Sequence, residues 1–378
     1  MTPEHLRSHL ADELLPLWWE HGWDRDHGGT HSRLSHQLEP RSASDGFKRT
    51  VVQARQVYAY GQIALAGATW AREPAAAQLE WMIDHCWDAQ HGGWFLTTTP
   101  EGEPLDRTKD TYAQSFALLA IATHARLERS REALARAERT LELLDAHLCA
   151  PGQIGLVDAA SPDWKPLHDA RRQNPHMHLF EASLAMAAAG DAASLARAEA
   201  LGTLLETRFF DPASGHLREF FDPELRPLSG DDGDVVEPGH EFEWAALLDL
   251  RARQTGQALP DVARGLYEAG VTALDAQGFV PMAKRLDGRP KDASRRTWSQ
   301  TEALRAHLAF ARCGDSSAAV RAEELARAIF AVHLDPAPAG AWIDHYDADG
   351  APRVAAITAA TGYHVVTAFI ELIETAAP

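Results

Sequence analysis

A short turn signature recurs along the chain: an acidic residue or proline, a polar spacer, a glycine, then an apolar or aromatic residue. Its copies begin at Asp26, Asp88, Pro151, Asp211, Asp275 and Asp335, so successive starts lie 62, 63, 60, 64 and 60 residues apart. A period this long exceeds one helical hairpin of the tetratricopeptide type and accommodates an outer helix, a glycine-bearing turn or short hairpin, and an inner helix. Six such units imply six helix pairs, which either stack as an open solenoid or close into a ring.

Helical spacing fills the units, and the alternation of Val, Ile and Thr that marks strands is scarce. Between Arg131 and Leu148, the residues Leu134, Ala137, Leu141, Leu144 and Leu148 recur at steps of three and four with Arg and Glu between them, which describes an outer helix with one wet face. Tyr112 to Ala122 and Leu179 to Ala189 are apolar nearly all round, as helices enclosed by others must be. The expected fold is therefore all-α: a closed (α/α)6 barrel forming one domain over residues 1–378, with the stretch from Pro281 to Lys291 as a loop.

Charge narrows the partners. With 36 basic and 54 acidic side chains the formal charge is −18, which repels nucleic acid and anionic membranes, since both are bound through clustered Lys and Arg. Cys86, Cys149 and Cys313 are far apart and form no CxxC, so neither a disulfide framework nor a thiolate zinc site is expected. No eighteen-residue apolar run occurs, and the first residues alternate charge with bulk. A cytoplasmic protein without a membrane span is the expectation.

In a ring of parallel inner helices all N-termini reach one face. The inner segments begin near residues 50, 111, 174, 239, 297 and 362, and open with Gln53 and Arg55; Tyr112 and Gln114; Asn174, His176 and His178; His240 and Glu243; Trp298, Gln300 and Glu302; Tyr363 and His364. Arg55 to Tyr112 spans 57 residues, and both His178 to His240 and Glu302 to His364 span 62, so these residues keep the repeat. His178 with Glu181 and His240 with Glu243 place a carboxylate three positions from an imidazole on one helical face. Burying so many polar groups without a shared ligand is costly, which predicts a small-molecule site. His176 and His178 fall on different sides of a helix and no HExxH occurs, so no metal is expected. The absence of GxxxxGK[ST] and GxSxG argues against a phosphate cradle and a serine nucleophile, and no cofactor is expected. Of the eleven tryptophans, Trp18, Trp19, Trp70 and Trp81 read as core, and Trp94, Trp298 and Trp342 as stacking candidates.

Taken together, the stretches Gln53-Ala-Arg55, Asn174-Pro-His-Met-His178-Leu-Phe-Glu181, Pro238-Gly-His240-Glu-Phe-Glu243-Trp, Trp298-Ser-Gln300-Thr-Glu302 and Gly362-Tyr363-His364 resemble the N-acylglucosamine 2-epimerase superfamily over nearly the whole chain, and its mannose isomerase branch most. The resemblance implies His240 and His364 as the catalytic acid/base pair and Arg55, Asn174 and His178 as substrate contacts, with Tyr112, Glu243 and Trp298 as further wall residues. Gln300 and Glu302 stand in a matching stretch and complete the expected substrate-binding set. It also implies metal-independent interconversion of a neutral aldohexose such as mannose with fructose through a cis-enediolate. In that scheme His240 assists ring opening with Glu243 orienting it, His364 carries the C2 proton, and Glu302 fixes the polar wall or a neighbouring base. The acidic loop Ser229 to Glu237 argues against an anionic substrate. The alternatives are 2-epimerisation by the same two histidines, a glycoside hydrolase using paired carboxylates, and a helical-repeat binding scaffold.

Overall fold

The computed structural model describes residues 2–41, 46–149, 155–169 and 171–376. Six inner helices, α1 (Thr50–Leu65), α2 (Thr111–Ala125), α3 (Gln173–Ala188), α4 (Pro238–Thr255), α5 (Thr297–Arg312) and α6 (Gly362–Thr375), begin where the repeat places them. Each packs on the next, and α6 returns to α1, so the chain closes as an (α/α)6 barrel. Outer helices include Arg72–Cys86, Arg131–Leu143, Ala192–Leu204, Asp261–Ala273 and Ser316–Ile329. In Arg131–Leu143 the buried residues are Ala133, Ala137, Thr140 and Leu143, which makes one dry stripe. Almost every side chain of α2 is buried. Among the described residues no helix is long and apolar enough to cross a membrane.

Short antiparallel pairs link the units at the N-terminal ends of the inner helices. Lys48 and Arg49 pair with Thr98 and Thr97, Lys109 and Asp110 with Ala160 and Ala159, Arg171 and Arg172 with Phe221 and Phe220, and Arg295 and Arg296 with Tyr346 and His345. The strand before α6, Ala356–Thr358, closes the ring on Arg33–Ser35. Each strand thus borrows its hydrogen bonds from the following unit, which fixes neighbouring units in register.

The repeating turn has a local cause. Asp88 Oδ1 accepts from the N–H groups of Gln90 and His91, while its Oδ2 accepts from the buried Lys109 at 2.7 Å. The first copy is closed in the same way by Asp24, which accepts from Asp26, His27 and Lys48. The capping residue there is Asp24 and not the Asp26 of the sequence signature. Gly93 has φ of +75°, and a Cβ there would meet Trp164 Cζ2 at 2.4 Å, so only glycine fits. Pro151, the start of the third copy, lies outside the described residues.

Candidate active site

The N–H groups of Thr50, Thr111, Gln173, Thr297 and Ala359 each donate to a carbonyl of the next unit's hairpin: Leu96, Asp158, Glu219, Asp344 and Ser32. Pro238 occupies the same slot on α4. Counting five residues on from this common point reaches Arg55, Phe116, His178, Glu243, Glu302 and His364. These six meet one another around the inside of the barrel. The Arg55 guanidinium lies 4.2 Å from the Phe116 ring, Phe116 lies 4.5 Å from His178, and His178 Nε2 is 3.8 Å from Glu243 Oε1. Ligand atoms of Glu243, Glu302 and His364 fall within 4.8 Å of one another, and His364 Nδ1 lies 2.6 Å from Glu302 Oε1.

Residues from the first turns of the inner helices form a rim above this ring. Arg55 Nη2 donates to the Tyr112 hydroxyl at 2.7 Å and Nη1 to the Ala360 carbonyl at 3.0 Å. His178 stands edge-on to Tyr112, 4.9 Å between ring centres, and its Nδ1 meets Glu181 at 3.2 Å. The Asn174 amide lies 3.2 Å from His240 Nε2. Trp298 stands between the two proposed acid/base histidines, 5.3 Å from His240 and 5.8 Å from His364. Arg55, Tyr112, Asn174, His178, His240, Glu243, Trp298, Glu302 and His364 therefore form one contiguous cluster inside the barrel.

Gln300 does not join it. Its Oε1 accepts from Val280 N–H at 2.8 Å and its Nε2 donates to Val280 O at 2.9 Å, so the amide is used up against the hairpin behind α5. Trp94 and Trp342 are also withdrawn from any stacking role. Trp94 is fully buried and donates to Thr140, while Trp342 packs 5.6 Å from Trp18.

His240 is oriented otherwise than the sequence suggested. Its Nδ1 lies 3.1 Å from both carboxylate oxygens of Glu219 and 3.6 Å from Glu237, while Glu243, three residues along α4, faces His178 instead. Glu219 carries no recognisable motif. A signal for it exists in the repeat: Ser32, Leu96, Asp158, Glu219, Met282 and Asp344 all stand two residues after the residue that ends the turn (Thr30, Trp94, Leu156, Leu217, Val280, Trp342), and three of the six are acidic. Aligning the units, rather than scanning for pairs within one helix, would have found it.

The two histidines carry opposite electrostatics. Burial alone would depress His240, but the adjacent Glu219 and Glu237 carboxylates outweigh it and push the imidazole up to about 10. His364 is driven well below the usual histidine range by burial, reinforced by Arg55, His178 and Arg305. His240 is thus an imidazolium at neutral pH and His364 a neutral imidazole. With His240 charged, the Asn174 amide turned to present its otherwise unpartnered Oδ1 accepts from Nε2. Burial, then the neighbouring Glu302, raises the Glu243 carboxyl well above its ordinary value, and its Oε1 has no hydrogen-bond partner. Among the described residues, two sets of side chains bring carboxylate and imidazole atoms close enough for a shared ion, Glu219, Glu237 and His240, and Glu243, Glu302 and His364. In the second, Glu302 already spends one oxygen on His364 and the other on Arg305 at 2.6 Å.

Known proteins place the arrangement. The family model described as N-acylglucosamine 2-epimerase (GlcNAc 2-epimerase) matches residues 28–368. A mannose-6-phosphate isomerase of Rhizobium meliloti (strain 1021) is 34% identical, covering 97% of this chain and 95% of its own. A cellobiose 2-epimerase of Bacteroides fragilis is 26% identical over 80% of each chain. The solved structure of cellobiose 2-epimerase from Spirochaeta thermophila superposes with a TM-score of 0.89 at 26% identity, covering 99% of this chain and 96% of the other.

Proposed function

Since the chain belongs to the N-acylglucosamine 2-epimerase family and is a sugar isomerase or epimerase, we propose that it interconverts a neutral aldohexose, D-mannose or a close relative, with the corresponding ketose. The observation that carries this reading is the pair of carboxylate-backed imidazoles on either side of Trp298, His240 against Glu219 and His364 against Glu302. Environments that push two titratable groups apart assign one as acid and the other as base.

The His240 imidazolium gives its Nε2 proton to the ring oxygen and takes the anomeric hydroxyl's proton in return, and the sugar opens to the aldehyde. Neutral His364, whose Nδ1 is held by Glu302, takes the C2 proton on Nε2. The electron pair left behind spreads as a cis-enediolate over O1 and O2. Arg55 sets a fixed cation and forked donors against that charge, with His178 and Asn174 beside it. Transfer of the O2 proton to O1 and return of the carried proton from His364 to C1 complete the ketose.

Charge at the mouth supports a neutral substrate over the phosphorylated one in the Rhizobium relative's name. Arg49, Arg172 and Arg296 are the N-cap residues of α1, α3 and α5, and Asp110 and Glu237 hold the same places on α2 and α4. Arg172 is tied to Asp158 at 2.6 Å and Arg296 to Asp344 at 2.7 Å, so two of the three rim arginines are neutralised, which supports a neutral substrate over a phosphate that would draw on several cations. The acidic loop contributes less to this than its sequence suggests, because Asp231 and Asp234 are engaged by Arg285 and Lys291.

A second reading, 2-epimerisation, is favoured by the position of Trp298 between the two imidazoles: if they reach C2 from opposite faces, one removes the proton and the other replaces it. Incubation of the purified protein with D-mannose in heavy water, followed by NMR of the products, decides. Fructose labelled at C1 supports isomerisation and glucose labelled at C2 supports epimerisation. Absence of both products and of exchange across a panel of neutral hexoses overturns the proposal, and turnover restricted to mannose 6-phosphate overturns the neutral-substrate assignment.

A further inference from the structure

Three residues further along the inner helices than the lumen ring lies a second tier: Tyr58, Leu119, Glu181, Ala246, Arg305 and Thr367. Its two charged members, Glu181 and Arg305, line a cavity of about 480 Å³ at the C-terminal ends of the inner helices, together with Glu371. Arg305 is fully buried. Its Nη1 donates to Glu302 Oε2 at 2.6 Å and its Nε to Glu371 Oε1 at 3.0 Å. Arg312 lies 3.7 Å from the other Glu371 oxygen and donates to Asp249 at 2.6 Å. A continuous chain of hydrogen bonds and ion pairs therefore runs from His364 through Glu302, Arg305 and Glu371 to the far end of the barrel.

We propose that Arg305 is a positioning residue for His364: by holding Glu302 as a carboxylate, it makes His364 keep its proton on Nδ1 and turn a bare Nε2 toward the sugar. Nδ1 faces Glu302, and whether Glu302 accepts or donates in that contact depends on its charge. The groups around Glu302 pull in both directions: Glu181 and His178 from α3, Glu243 from α4, Arg305 on its own helix and His364 from α6. Burial raises the Glu302 carboxyl, and Arg305 is the largest influence opposing this. Glu243, which has no cation bonded to it, is the member of the carboxylate pair that takes up a proton. If the guanidinium charge is removed, Glu302 takes one too and donates to His364 Nδ1. The imidazole must then carry its own proton on Nε2, where it cannot accept one from C2. Arg55, His178, Glu181 and Arg305 also act on His364, and a Glu243 carboxylate oxygen lies within 4.8 Å of it, but among the described residues the hydrogen bond at its Nδ1 is made by Glu302.

The inference rests on the reading of His364 as the base, so the test has one arm independent of turnover. Side-chain nitrogen NMR of the wild type at pH 7, with the His364 signals identified by their loss in His364→Asn, is expected to show a protonated Nδ1 and a bare Nε2. A proton on Nε2 in the wild type overturns the inference even if the sugar reaction is as proposed, and this arm does not depend on the Arg305 variants folding. In the kinetic arm, Arg305→Gln is expected to lower kcat about 100-fold, the scale of losing a correctly poised base, with KM nearly unchanged and the acid limb of the pH profile displaced. Arg305→Lys, which keeps the charge, should restore most of the rate. Arg305→Gln combined with Glu302→Gln should be no slower than Glu302→Gln alone. Additive losses, or wild-type rate and pH profile in Arg305→Gln, overturn it. If no sugar turns over, the proposed function fails while the nitrogen spectrum still decides the tautomer.

Discussion

The inner helices present two rings of polar side chains in their first turns, and the two differ in kind. Three residues beyond the common hydrogen-bonded point stand Gln53, Gln114, His176, Glu241 and Gln300; five residues beyond it stand Arg55, Phe116, His178, Glu243, Glu302 and His364. At about 100° per residue, the two sets point about 200° apart on the helix. The first set faces outward and every member is bonded to backbone of the hairpin behind it: Gln53 to Thr30, Gln114 to Trp94, His176 to Leu156, Glu241 to Leu217 and Gln300 to Val280. The second faces inward and pairs mainly side chain with side chain, Arg55 also reaching the Ala360 carbonyl, and leaves Arg55 Nε and Glu243 Oε1 without partners, where the first set leaves only Glu241 Oε2. Buried polar groups satisfied by backbone hold a fold together; those satisfied only by one another, with capacity left over, await a ligand.

The comparison can be broken from either side. His364→Asn should abolish exchange of the C2 hydrogen, a loss of about 1,000-fold or more, while mannose binding remains measurable by calorimetry; retained exchange removes His364 from the proton transfer. Glu219→Gln should lower kcat/KM about 10- to 100-fold at neutral pH and bring the alkaline limb of the rate profile down from near 10, since His240 then loses the carboxylate that keeps it charged. The same substitution has a stability signature. His240 is raised in the folded state above its ordinary 6.5 to about 10, so its contribution is complete below pH 6.5 and disappears as pH rises through 10. Denaturant titrations across that window should show a shallower decline in the variant. Gln300→Leu should do the reverse of His364→Asn, costing about 1–3 kcal/mol of stability through the unsatisfied Val280 backbone while kcat/KM per folded molecule is unchanged. The smallest expected effect is that of exhaustive chelation, under which activity should persist, because the proposed steps move protons only between side chains and sugar.

Much of the molecule was legible in advance. The turn spacing carried the number of units, and apolar residues all round a segment marked α2 and α3 as enclosed. The starts of the six inner helices follow from the same period. His178 and His364 stand at the same phase of their units, five residues beyond the common point, whereas His240 stands two beyond it, so the 62-residue step from His178 to His240 marked the helix opening without marking the same face. What misled was treating a helix opening as one site. Gln300 lies two residues from Glu302 and keeps the same period, yet it faces the opposite way, and a period close to 60 fixes the unit without fixing the face. His240 and Glu243 lie three apart on one helix and looked like a pair, whereas Glu219 from the neighbouring hairpin reached the imidazole first. Arg305 drew no notice because it stands eight residues beyond the start of α5, where the sequence looks like ordinary helix interior.

The linear order of residues determined the repeat, the helical class, which segments are enclosed and which chemical groups recur at matched phase, because all of these depend on spacing along one chain. Only the closed barrel decided which carboxylate meets which imidazole, and therefore which histidine is charged. Those contacts join α3 to α4, a hairpin to α4, and α5 to α6. Their energies depend on burial and on distances of a few ångströms across the ring, quantities that separations of 21 and 62 residues along the chain do not contain.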